Sequence, residues 1–374
     1  MKTVRNHLIG RRAFGASLAA LLLSGCALAT PTPAAPAAEA TKPAEAPAAA
    51  GQTLTVMVHD SFAVSEALVT QFESAHNVKL VVLKSGDAGA TLNKAILAKG
   101  APIADVLFGV DNTFLSRALK ADIFEAYEAP ALSGVPARFR LDPSNRLLPI
   151  DYGYVSFNSN PAGLAKRSSP TPSSLRDLTA ADFKNNVVVE NASTSSPGLA
   201  FLLATVAAFP EGSDYSWQQF WRDMMKNEVH VSPDWTDAYY TMFSGSSGQG
   251  PHDIVLSYAT SPAAEVFYSE GKLTEPPTAN LDIGAFEQIE FAGVLKGAKQ
   301  PELARRFIDF LLSADFQKDI PTQMWVYPVV ENTPLPDVFR FAAVPTKIYS
   351  LTPEQIDAGR EKWIEEWTKI VAGG

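Results

Sequence analysis

Three short polar runs each carry an aspartate just beyond an apolar stretch: His59-Asp60-Ser61-Phe62, Ser85-Gly86-Asp87-Ala88-Gly89 and Gly109-Val110-Asp111-Asn112. A carboxylate in such a place either caps the helix that follows or faces a cationic or amino-bearing ligand. Three converging on one edge favour a ligand for at least one of them. His59 shares the first run, yet no nucleophile is evident for it to activate. A fourth run, Ser193-Thr194-Ser195-Ser196-Pro197-Gly198, offers hydroxyls and free backbone N–H groups at a helix start, which suits a phosphate or another acceptor. Ser196 is expected to be the N-cap and Pro197 the first helical residue. With no lysine or arginine in the run, an anion held there would rest on dipoles and N–H groups alone.

Aromatic residues divide into two kinds. Trp217, Phe220, Trp221 and Met224 recur at i, i+3, i+4 and i+7, the spacing of a buried helix face. Trp235, Tyr258 and Trp325 lie in polar or proline-rich surroundings instead and read as stacking surfaces for a flat or cationic ligand. The five histidines show no metal-ligand spacing, and no Gly-x-Ser-x-Gly, His-Glu-x-x-His or Gly-x-Gly-x-x-Gly motif occurs. The pattern argues for binding rather than catalysis.

These residues need elements to bring them together. Apolar strands expected over 54–58, 79–83 and 104–110 alternate with helices over 64–75 and 92–98, and this βαβαβ order argues for a mostly parallel sheet covered by helices. A second unit follows, with strands at 186–190, 229–231 and 253–257 and helices at 197–208 and 214–226. The chain then returns through 288–295 to a helix at 301–312. Two α/β lobes result, and ligands of such folds lie in a crevice beyond the carboxyl ends of the strands.

The amino-terminal residues are of another kind. Lys2, Arg5, Arg11 and Arg12, a short apolar run and Leu23-Ser24-Gly25-Cys26 read as a signal peptide over 1–26 that ends in a lipobox, with lipid attachment at Cys26. The Arg11-Arg12 pair resembles a twin-arginine signal. Cys26 is the sole cysteine, which excludes an internal disulfide and a cysteine-based metal cluster. Residues 27–51, rich in Ala and Pro, are expected to be a disordered tether. No later stretch approaches the ~20 apolar residues of a spanning helix. The net charge of −9 speaks against nucleic acid as a partner and tolerates a cation.

Several strings taken together carry a resemblance: Asp60-Ser61-Phe62, Val110-Asp111-Asn112, Asp151-Tyr152-Gly153-Tyr154, Ser195-Ser196-Pro197-Gly198-Leu199, Leu256-Ser257-Tyr258 with Thr260-Ser261-Pro262, and Ile320-Pro321-Thr322 with Trp325. In this order the chain resembles the periplasmic thiamine-binding proteins of bacterial ABC importers from about Leu54 to Trp367. The resemblance implies an α/β, two-lobed type II periplasmic-binding-protein fold with its ligand in the inter-lobe cleft. It implies lobe 1 over 52–155 and 286–330, lobe 2 over 156–285, and a helical segment over 331–374 assigned to neither. Ligand contacts would fall on Asp87, Ala88, Ser195, Ser196, Trp235, Tyr258, Ala259, Thr260, Ser261 and Trp325, with His59 and Asp111 added from the strand-end reading. The transported ligand would be thiamine or a phosphate ester, with no cofactor. The partners would be an importer permease and, through Cys26, the membrane surface, and the protein would be a monomer outside the cytoplasm. Family members tend to carry tyrosine at the positions of His59 and Ala264 and glycine at that of Ala88. Ferric ion, a polyamine or a pyrimidine precursor are the competing ligands. An enzyme of related fold would need a cysteine nucleophile, and the chain has none beyond Cys26.

Overall fold

The computed structural model describes residues 51–245 and 249–373. The signal-peptide reading with Cys26, and all but the last residue of the expected tether, lie outside the described residues.

Strands β1 (Gln52–Val58), β2 (Val78–Lys84) and β3 (Val106–Asp111) alternate with helices α1 (Glu66–His76), α2 (Ala88–Leu97) and α3 (Leu115–Ala121). Leu54, Val56 and Met57 are fully buried and Phe72 nearly so, which seats α1 on the sheet. A long strand β4 (Leu148–Ser159) leads to α4 (Pro161–Arg167), which starts at a capping Asn160 followed by proline. The second unit holds β5 (Val187–Glu190), α5 (Ser196–Ala208), α6 (Trp217–Lys226), β6 (His230–Ser232), β7 (Ile254–Tyr258) and α7 (Ser261–Tyr268). Strand β8 (Ala279–Val294) carries the chain back to α8 (Pro301–Leu311), α9 (Ala314–Gln323), the short β9 (Tyr327–Pro328) and α10 (Pro353–Val371).

The described strands form one sheet in the order β2-β1-β3-β8-β4-β7-β5-β6, with β9 beside β4. Each flank is parallel: β1 pairs β2 and β3, and β5 pairs β6 and β7. Between the flanks β8 and β4 run antiparallel to each other, to β3 and to β7. The sheet is therefore mixed rather than mostly parallel. The expected strand at 288–295 is the end of a strand twice that length. Both central strands are buried on both faces for most of their length, so the alternation that betrays a half-exposed strand is missing.

Their register breaks between Val155↔Phe286 and Phe157↔Leu281. At Asp151 and Tyr152 β4 has β9 on its far side, and from Val155 onward β7. The central pair thus threads from one parallel flank to the other. Gly284, inside the break, has φ +142, and a Cβ there would come within 2.6 Å of Tyr349.

Trp217, Phe220, Trp221 and Met224 are all fully buried, as their spacing predicts. Helix α10 crosses the molecule. It opens with a capping box between Thr352 and Gln355, packs Arg360 on the Phe114 ring beside α3, and brings Trp367 edge-on to Trp221 of α6 at 5.6 Å. No helix among the described residues is long and apolar enough to cross a membrane.

Candidate functional site

The ends of the parallel strands and the starts of the helices after them enclose a cavity of about 660 Å³. From β1 come His59, Asp60 and Ser61. The first turn of α2 supplies Asp87 and Ala88, that of α5 Ser196 and Pro197, and that of α7 Thr260 and Ser261. Beyond β6 stand Trp235, Tyr239 and Tyr240, Tyr258 ends β7, and Gln288 and Glu290 reach in from β8. The α9–β9 corner adds Met324 and Trp325.

The two indoles are pinned. Trp235 stacks on Tyr239 at 5.1 Å with its Nε1 donating to Ser257 Oγ at 2.9 Å, and that hydroxyl also lies 2.9 Å from Ser261 Oγ. Trp325 stacks on Phe339 at 5.9 Å and donates from Nε1 to Tyr268 OH at 3.0 Å. Its backbone is left-handed, φ +60, an unfavourable conformation for a bulky residue. The Thr260 hydroxyl, donating to the Trp325 carbonyl, helps to hold it.

The charge is acidic. Asp60, Asp87, Glu265 and Glu290 line the cavity, and among the described residues no lysine or arginine does. Asp87 caps α2 by accepting from Ala88 N, while its Oδ2 and the Ser195 hydroxyl are buried without a hydrogen-bond partner. Burial pushes the Asp87 carboxyl up, opposed in part by the neighbouring Ser195 hydroxyl, the Ala88 N–H and His59. Tyr258 donates to Gln288 Oε1 at 3.1 Å, and burial together with Glu290, Asp87 and Asp111 raises its phenol well above the ordinary value. Against these carboxylates stand three helix N-termini, whose partial positive charge suits an anion or acceptor.

Of the residues expected at the site, the structure brings His59, Asp87, Ala88, Ser196, Trp235, Tyr258, Thr260, Ser261 and Trp325 to the cavity wall. Three lie behind it. Asp111 is fully buried and accepts from Thr113 N at 2.7 Å, from the Thr113 hydroxyl and from the Ser196 hydroxyl; burial lifts its carboxyl to about 6 against those hydroxyls. Ser195, not Ser196, occupies the N-cap position of α5, and its side chain makes no cap bond. Ser196 is the first helical residue and spends its hydroxyl on Asp111. Ala259 is buried among Tyr154, Tyr327 and Phe339.

Other wall residues escaped the sequence reading. Tyr239 and Tyr240 sit in a π-helical turn, Asp237–Met242, whose period differs from the one sought. Tyr268 follows Ala264 by one turn of α7, so both share the cavity-facing side; the position was legible from Thr260-Ser261-Pro262, which opens the helix. Gln288 and Glu290 belong to the doubly buried β8. Tyrosines 240 and 268 therefore bring aromatic rings to a wall where Ala264 has none. Among the described residues no three His, Cys, Asp or Glu side chains are arranged to hold a metal ion.

Residues 101–342 match the model of a protein family described as bacterial extracellular solute-binding protein. This chain belongs to that family. Among its relatives the thiamine-binding periplasmic protein of Salmonella typhimurium is 34% identical, over 87% of this chain and 96% of that one. A solved periplasmic thiamin binding protein superimposes with a TM-score of 0.75 at 31% identity, covering 85% of this chain and 96% of the other. The iron-bound HitA of Pseudomonas aeruginosa reaches a TM-score of 0.66 at 18% identity over 85% of this chain, a likeness of fold alone. The solute-binding protein has the two-lobed type II periplasmic-binding-protein fold.

Proposed function

We propose that this solute-binding protein carries thiamine or one of its phosphate esters, unchanged, to the permease of an ABC importer. The observation that carries the reading is the pair of pinned indoles, Trp235 and Trp325, on the wall of an acidic cavity that no described lysine or arginine lines. Thiamine joins a flat aminopyrimidine to a thiazolium cation; indole and phenol faces suit both rings, and carboxylates suit the charge. The hydroxyethyl arm or its phosphate is matched by the free backbone N–H groups at the starts of α5 and α7. Identity to thiamine-binding relatives over most of the chain supports the same ligand.

In this reading lobe 1 comprises 52–155 and 286–330 and lobe 2 comprises 156–285, closing on the ligand about the register break of β4 and β8. The protein works as an exported monomer anchored through a lipid on Cys26. Loss of fatty-acid labelling on Cys26→Ala is the expected result for the anchor; undiminished labelling contradicts it. For the ligand, thiamine should quench tryptophan fluorescence saturably, and thiamine or an ester should appear by mass spectrometry among small molecules that co-purify. A protein that neither responds to nor carries these compounds would end the proposal.

A further inference from the structure

Glu290 occupies an unusual place. It lies directly opposite Asp111 on β3 and Asp151 on β4, so three carboxylates stand side by side on one face of the sheet. Asp151 is fully buried, with both oxygens lacking a hydrogen-bond partner. An ionised carboxylate so placed is costly, and burial with the adjacent Glu290 pushes the Asp151 carboxyl well above the usual carboxylate range. Asp111 is engaged by Thr113 and Ser196, and beyond it stands Arg360 of α10, paired with Glu361. Glu290 alone of the three reaches the cavity. One of its oxygens accepts from Gln288 Nε2 at 3.2 Å, and the other lies 3.4 Å from His59 Nε2.

His59 is faced by Glu290 from β8, by Asp87 from the start of α2 and by Asp111 from β3. These carboxylates outweigh the burial that would otherwise strip its proton, so its pKa is raised. Its ring packs so tightly on Gly109 that a Cβ there would come within 2.3 Å of Cδ2, leaving the imidazole little room to swing away. With His59 protonated, a permanent cation brought to Glu290 meets a second cation on the same carboxylate. The thiazolium charge cannot be shed, whereas the imidazolium can lose its proton to solvent.

We infer that Glu290 is the counter-ion of the ligand's cationic ring and that His59 is a proton-bearing placeholder for that cation, so that binding expels a proton from the site. The inference rests on the thiamine reading. It makes these two residues the determinants of selection for a fixed positive charge, and it couples affinity to pH with a defined sign: binding weakens as acid keeps His59 charged.

Calorimetric titration of thiamine near neutral pH, in buffers of different ionisation heat, tests this. The unaltered protein is expected to release up to about one proton per thiamine, and its affinity to fall by up to about tenfold per pH unit as pH drops below the raised pKa of His59. In H59Q proton release should drop by more than half and the pH profile flatten. E290Q should bind at least about tenfold more weakly, and E290D, which keeps the charge, should recover most of the loss. Equal thermal midpoints of the variants and the unaltered protein exclude misfolding as the cause. Thiamine binding with proton release unchanged in H59Q, or with E290Q within twofold of the unaltered protein, overturns the inference while the ligand reading stands. Absence of thiamine heat in the unaltered protein at every pH overturns both.

Discussion

Trp325 shows how a single residue commits backbone conformation to a site. A left-handed tryptophan persists only when its surroundings fix it, and here Phe339, Tyr268 and Thr260 do so. Replacing Trp325 or Trp235 by alanine is expected to weaken thiamine binding by at least ~1 kcal/mol in a fluorescence or calorimetric titration, the scale of an aromatic stacking contact. Full affinity in both variants would remove the indoles from the account. Both were legible in the sequence because tryptophan in polar, proline-rich surroundings serves no core stripe. Asp111 and Ser196 were legible only as polar residues at strand and helix ends. The sequence does not reveal that the two satisfy each other across the fold, which takes Asp111 out of the cavity wall. Ser196→Ala, leaving that carboxylate with Thr113 alone, should cost roughly 1 kcal/mol in a denaturant titration; an unchanged midpoint would contradict the bond.

At the scale of elements, helix α6 announced itself through four apolar residues at helical spacing. The central strands did not, because β4 mixes Pro149, Asp151, Gly153 and Asn158 into a strand buried on both faces, and burial of polar residues in a sheet centre follows from partners distant in the sequence. The sequence marks the C-terminal segment as helical without assigning it to either lobe. The structure explains why: α10 touches α3 through Arg360 on Phe114 and Lys120 paired with Asp357 at 2.7 Å, and α6 through Trp367 on Trp221 and Gln218 bonded to Glu366 at 3.1 Å. It straps the two units together. Trp367→Ala, which empties a fully packed position, is expected to lower stability by about 3–5 kcal/mol, measured by denaturant unfolding; a loss below ~1 kcal/mol would mean the strap contributes little.

For the whole molecule the buried acids set the pH dependence of folding. Asp87, Asp111, Asp151 and Glu190 all have raised pKa values in the fold, mainly through burial, and His59 is raised by its carboxylate neighbours. A group that holds its proton more tightly when folded stabilises the fold below its unfolded pKa and loses that contribution as pH rises through the folded one. All five therefore act in the same direction, opposed by His76 and His252, whose pKa values burial lowers. Asp111, raised from 3.8 to about 6, alone contributes about 1 kcal/mol more at pH 5 than at pH 8. The ligand-free protein should thus melt higher at pH 5 than at pH 8, with Asp111 supplying roughly 2 °C of the difference, and a lower midpoint there would contradict the buried acids. The two-lobed plan was legible from the alternation of strands and helices, whereas the antiparallel pair that joins the lobes was not. The central claim is that the cleft between those lobes selects thiamine or its esters, and calorimetry tests it most directly. A saturable isotherm for thiamine or an ester, with one ligand per chain, is the expected result; no heat from any of them, beside a clean isotherm for ferric ion or a polyamine, would contradict it.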